Sequence, residues 1–127
     1  MNKGKESPRI SEPSSEVLAR LAADMAVETK ARDVCLLDMR RLVNFCDMFV
    51  ICSGDTDRHV KAIADRIEEG LAKKGLKPYS RQADPRADWI VLDMGSVVAH
   101  IFQKQARDFY QLEYLWREAP KEIVSTE

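Results

Sequence analysis

Two uninterrupted apolar runs, Val34–Leu37 and Met48–Cys52, restrict the fold of this chain more than any other feature of its sequence. A strand with one face in water alternates apolar and polar side chains. A strand with no polar position in either phase must be covered on both faces. Both runs are short and rich in β-branched, aromatic or thiol side chains, which suits central strands of a layered sheet better than helix. The roughly ten residues between them carry no helical pattern and are too few for an ordinary parallel crossover, so the two strands are expected to pair antiparallel.

Helices to cover that sheet are legible on either side. Leu18, Leu21, Ala22 and Met25 follow the i, i+3, i+4, i+7 spacing of one buried stripe, with Ser14 or Ser15 placed to cap the helix and its end near Lys30. After the second run, Ser53-Gly54-Asp55-Thr56-Asp57 reads as a sharp turn in which Thr56 or Asp57 caps a second helix. That helix carries Val60, Ile63, Ala64, Ile67 and Leu71 on one face and stops at Gly75, with Pro78 beyond. A short extended piece near Lys77–Arg81 fits an edge strand, and the stretch through Pro85 to Asp88 fits a loop. A last helix from about Ala106 is expected to bury Phe109, Leu112 and Trp116. The fold class is therefore α/β in the broad sense, a mixed α+β sheet with covering helices.

The chain of 127 residues suffices for one domain, expected over 16–118. Residues 1–15, rich in Ser, Pro and charge, read as a disordered tail, and 119–127 as a C-terminal tail. With 45% hydrophobic and 32% charged residues the composition is that of a globular protein, and no apolar run approaches the roughly 20 residues needed to span a bilayer. The opening residues lack the apolar core of a secretory signal, which leads to an expected cytoplasmic location and no membrane partner. Lys plus Arg number 20 against 21 Asp plus Glu, so binding to nucleic acid by phosphate neutralisation has little support. Cys35, Cys46 and Cys52 lack paired metal or redox spacing and read as buried free thiols.

Function is sought in the hairpin Trp89–Phe102, WIVLDMGSVVAHIF, whose two apolar strands meet at a Met94-Gly95 turn. A Trp at its start and a Met at its tip are more than a core requires, and the reading takes both as displayed. On the second strand Val97, Ala99 and Ile101 share one face, the expected core face, and Val98, His100 and Phe102 share the other. With His59 the only other histidine, and no spaced thiol nearby, a metal set is not expected and His100 is read as a structural or contact residue.

The strand ending Leu36-Leu37-Asp38, then CDMFVICSG, then Asp57-Arg58-His59-Val60, WIVLDMG, VVAHIF and FYQLEYLW stand in one order along the chain. With these motifs, from Leu18 to Pro120, the chain resembles the ribosomal silencing factor family, RsfS, also called Iojap-like. It departs from the family pattern at Asp55, at Cys46 and Met48, and in the loop SRQADPRAD. The resemblance implies a fold similar to nucleotidyltransferases without enzymatic activity or cofactor. It implies binding to the large ribosomal subunit through ribosomal protein uL-fourteen, and steric hindrance of small-subunit joining that represses translation when nutrients are scarce. Organellar relatives of this kind act in large-subunit assembly, which stands as the alternative role. The positions matching the family's contact region are Trp89, Met94, Gly95 and Ser96, with Tyr110 as a further candidate; Asp93, with Asp88, would suit a basic ribosomal protein.

Two rivals remain. Nucleotidyl transfer needs carboxylates on neighbouring strands to hold Mg²⁺, but Asp55 and Asp57 lie in a turn where capping is the simpler role, and Asp93 stands alone on its strand. Self-association of an exposed hairpin about a two-fold axis, giving a homodimer, is the other.

Overall fold

The computed structural model describes residues 13–86 and 88–127, so the expected N-terminal tail lies almost wholly outside the described residues. Within them the order is α1 (Ser15–Glu28), β1 (Arg32–Asp38), β2 (Met48–Gly54), α2 (Asp57–Ala72), β3 (Ser80–Ala83), β4 (Trp89–Asp93), β5 (Val97–Gln103), α3 (Lys104–Tyr110), α4 (Leu112–Leu115) and β6 (Lys121–Ile123). The six strands form one sheet in the order β3-β4-β5-β2-β1-β6. Only β2 and β5 run parallel; β1 pairs antiparallel with β2 and β6, and β4 with β3 and β5. No helix is long and apolar enough to cross a membrane among these residues.

The two apolar runs lie at the centre, and every residue of β2 is buried. Their side chains divide by the two-residue period of a strand. Leu36, Val50 and Cys52 join Val97, Ala99 and Ile101 of β5 on the face covered by α1 and α2. Cys35, Leu37, Phe49, Ile51 and Phe102 point to the opposite face, beneath Ala106, Leu112 and Trp116. The all-aliphatic face of β5 is thus the deeper core face, as its composition predicts. Cys35, Cys46 and Cys52 are buried and free, and burial pushes their thiols up, to about 11 for Cys35 and Cys46 and about 12 for Cys52.

Both covering helices start where the sequence signals place them. The Ser14 hydroxyl accepts from the Val17 amide at 3.2 Å, and the Thr56 hydroxyl from the His59 amide at 3.0 Å. The stripe Val60, Ile63, Ala64, Ile67 and Leu71 is wholly buried, and Gly75 takes the positive φ of 80° that stops the turn after α2. Edge strand β3 begins at Ser80, three residues later than the Lys77 start expected for it. Arg81 ties it to α2 by donating to Asp65 at 2.7 Å and Glu68 at 2.6 Å.

Three expectations differ from the structure. Residues 119–127 are not merely a tail, because Lys121–Ile123 add strand β6 to the outer edge of β1. The last helix is broken: Gln111 sits at φ 50°, ending α3 and starting α4 with a new register. Phe109, expected to be buried, is therefore 79% exposed, while Leu112 and Trp116 do pack under the sheet. Met94, read as displayed at the hairpin tip, is only 7% exposed and joins the core between the sheet and the helices.

Candidate functional site

The second face of the sheet carries a line of aromatic rings. Tyr110 lies 4.8 Å from Trp89, Trp89 lies 4.8 Å from Phe102 and 5.9 Å from His100, and His100 meets Phe49 edge-on at 4.5 Å. From Phe49 the line forks to Trp116 and to Phe45, each at 6.4 Å. The short helix α3 packs on β5 and β2, and Trp89 at the start of β4 stays half-buried at the margin. Tyr110, Phe45 and Phe109 are exposed beside this line. The result is an apolar surface with a partly sunken indole in it, the kind of feature in which binding energy concentrates.

Two of the six expected site residues meet there, Trp89 and Tyr110. The other four sit at the far end of β4, about 13 Å away at 3.3 Å per residue, and the structure uses them to build the turn. The Asp93 carboxylate accepts from the Gly95 amide at 2.9 Å. Gly95 has φ 87°, and a Cβ there would lie 3.0 Å from the Tyr79 ring. The Ser96 carbonyl accepts from the amides of Asp47 and Met48 at 2.7 and 3.1 Å, and Met94 is core.

The carboxylates that could support phosphoryl chemistry are not brought together. Asp55 pairs with Arg32 at 3.1 Å, Asp57 lies in the first turn of α2, and Asp93 is at the opposite end of the sheet from both. His59 is structural: its Nδ1 accepts from the Asp55 amide at 2.9 Å, which leaves Nε2 to donate to the Thr29 carbonyl at 2.7 Å.

Sequence reasoning missed one polar constellation. At the carboxyl ends of β2 and β5 a cavity of about 950 Å³ is lined by Arg32, Ser53, Arg107, Glu113 and Lys121 among others. Arg107, largely buried, donates to both oxygens of Glu113 at 2.9 and 3.0 Å and to the Ser53 hydroxyl at 2.9 Å; Lys121 reaches the same carboxylate at 3.1 Å. Burial works to raise the Glu113 carboxyl, but Arg107 and Lys121 outweigh it and hold it at about 2. These charges satisfy one another and tie α3, α4 and β6 to β2. The Ser53 hydroxyl, at the turn leading into α2, is thus engaged by Arg107. An Arg and a Glu six residues apart across a helix break leave no periodic signal.

The family model described as "Ribosomal silencing factor during starvation" matches residues 12–127, a span that takes in every described residue. The chain belongs to the ribosomal silencing factor family. It is 35% identical over 103 residues to the "Ribosomal silencing factor RsfS" of Bacillus subtilis, covering 81% of this chain and 87% of that protein. It is 32% identical to the mouse "Mitochondrial assembly of ribosomal large subunit protein 1", over 82% of this chain and 49% of that longer protein. A crystal structure of a Chromobacterium violaceum protein superposes with a TM-score of 0.79 at 27% identity, covering 82% of this chain and 87% of the other. The ribosomal silencing factor motifs of this chain are thus distributed between structural duties, as at His59 and the Asp93–Ser96 turn, and the aromatic surface around Trp89.

Proposed function

We propose that this protein is a ribosomal silencing factor that docks on the large ribosomal subunit through ribosomal protein uL-fourteen and sterically blocks small-subunit joining, repressing translation under nutrient limitation. The observation that carries the reading to particular residues is the half-buried Trp89 flanked by exposed Tyr110 and Phe109 on the face that α1 and α2 leave free. An indole seated among rings keeps little rotamer freedom to lose on binding, and its remaining exposed edge offers apolar area at the centre of a patch. Asp88 and Asp93 on the same hairpin add negative charge that favours a basic ribosomal protein. The Asp93–Ser96 turn serves this surface at a distance, by holding the two strands of the hairpin in register. A role in large-subunit assembly is the second reading, supported by the name of the mouse relative.

Co-sedimentation with isolated large subunits, small subunits and assembled ribosomes tests the proposal. Selective retention on large subunits, and a block to joining when small subunits are added, is expected. Trp89→Ala should fold and lose about 2 kcal/mol of binding, roughly 30-fold in affinity. Equal affinity of Trp89→Ala and the wild type would remove Trp89 from the interface, and absence of binding to any particle would remove the function.

A further inference from the structure

His100 is an expensive choice for its position. It projects into the second face of the sheet between the rings of Phe49 and Phe102, is only 7% exposed, and carries an Nε2 with no hydrogen-bond partner among the described residues. Its one bond is to the candidate site: the Trp89 indole Nε1–H donates to His100 Nδ1 at 3.2 Å. An indole N–H can only donate, so Nδ1 accepts and the ring proton sits on Nε2, buried without an acceptor. Burying an unsatisfied donor costs a fold stability, and an aliphatic residue such as the neighbouring Val98 would fill the space without that penalty.

We infer that His100 is a positioning residue for partner recognition, holding the Trp89 indole in the orientation presented to the ribosomal partner. This rests on the docking reading above. Three contacts fix the indole: the neighbouring rings of Phe102 and Tyr110, each 4.8 Å away, and His100 at the nitrogen. The two ring contacts, tilted at 30° and 46°, tolerate a flip of the indole about the Cβ–Cγ bond, because aromatic contacts are broad in angle. The hydrogen bond does not, since it selects the one rotamer that aims Nε1 inward at the sheet. Without it the nitrogen turns toward water, and the apolar edge is no longer the part exposed. A partner pocket shaped for that edge then meets a mixture of orientations and binds more weakly.

The test pairs two substitutions, each read by large-subunit co-sedimentation and by the indole ¹H–¹⁵N resonance of Trp89, assigned by comparison with Trp116→Phe. His100→Leu keeps the volume and removes the acceptor. It should fold with unchanged or raised melting temperature, move the Trp89 indole resonance toward its solvent-exposed position, and weaken binding at least 5-fold. His100→Asn places an amide oxygen where Nδ1 was and should retain both the resonance and the affinity. Binding that is unchanged in His100→Leu while Trp89→Ala is weakened would overturn the inference alone, as would binding lost in a variant whose indole resonance has not moved. Unchanged binding in Trp89→Ala would overturn the docking reading at Trp89 and the inference with it.

Discussion

The buried imidazole of His100 makes the stability of this fold depend on pH in a window that few other groups share. Burial pushes its pKa down to about 4, against 6.5 for a solvated imidazole, with no neighbouring charge contributing. In the folded protein the ring stays neutral as pH falls; in the unfolded chain it takes up a proton below 6.5. The unfolded state thus binds more protons between pH 6.5 and 4, so stability is full above that window and falls as pH falls through it. Each pH unit crossed inside the window removes about 1.4 kcal/mol. Going from pH 7 to 4.5 should therefore cost about 2 to 3 kcal/mol, a large share of the roughly 5–15 kcal/mol typical of a domain. Stopping at 4.5 matters, because Glu113 and Asp38, both held at about 2, begin to lose their contribution only below the ordinary carboxylate values of 4.5 and 3.8. Urea unfolding followed by far-UV circular dichroism at pH 7, 6, 5 and 4.5 measures the effect. The wild type should lose the stated amount and His100→Leu should show a correspondingly flatter profile. Parallel profiles for the two proteins would refute the argument, since they would mean that the imidazole reaches solvent and titrates alike in both states.

Three further outcomes follow from the packing. Ile63→Ala, at a wholly buried position of α2, should cost about 2 to 5 kcal/mol in chemical denaturation by leaving a cavity against the sheet. Gly95→Ala should lower stability by about 1 to 2 kcal/mol, because the residue holds φ 87° and its Cβ would press on the Tyr79 ring; a melting temperature equal to wild type would show that the turn relaxes. Phe109→Ser should stay within about 0.5 kcal/mol of wild type by the same assay, since the ring is 79% exposed, whereas a loss of several kcal/mol would restore the buried-helix reading.

Where the sequence was legible, a strong period and a tertiary cover agreed. The α2 stripe from Val60 to Leu71 and the all-apolar β2 each have one arrangement that removes them from water, and the structure adopts it. Legibility failed where geometry departs from a period. Gln111 enters the left-handed region without a glycine to announce it, and the register expected from Ala106 onward is reset, which turns Phe109 outward. Met94 sits in a turn, where alternation no longer says which face a side chain takes. Strand β6 is three exposed residues, Lys121-Glu122-Ile123, with no alternation to read and only the open edge of β1 to define it. At the site, Trp89 is singled out by residue type and Tyr110 only by the family resemblance. Their contact, the bond from Trp89 to His100 and the Arg107–Glu113 pair depend on distant segments meeting, which a linear pattern does not encode.

The strand order also sets a timetable for synthesis. The β1–β2 hairpin lies within the first half of the chain, yet its neighbours on the two sides are β5 and β6, which follow only after α2, β3 and β4. A nascent chain that has made β2 therefore holds two central strands with both outer rows of backbone donors and acceptors open. It stays in that condition until Val97–Gln103 and then Lys121–Ile123 emerge, the last of these roughly 85 residues after the part of β1 it pairs with. Closure of the sheet is thus a late, long-range event, and the interval before it is when the growing chain is most open to pairing with another copy of itself.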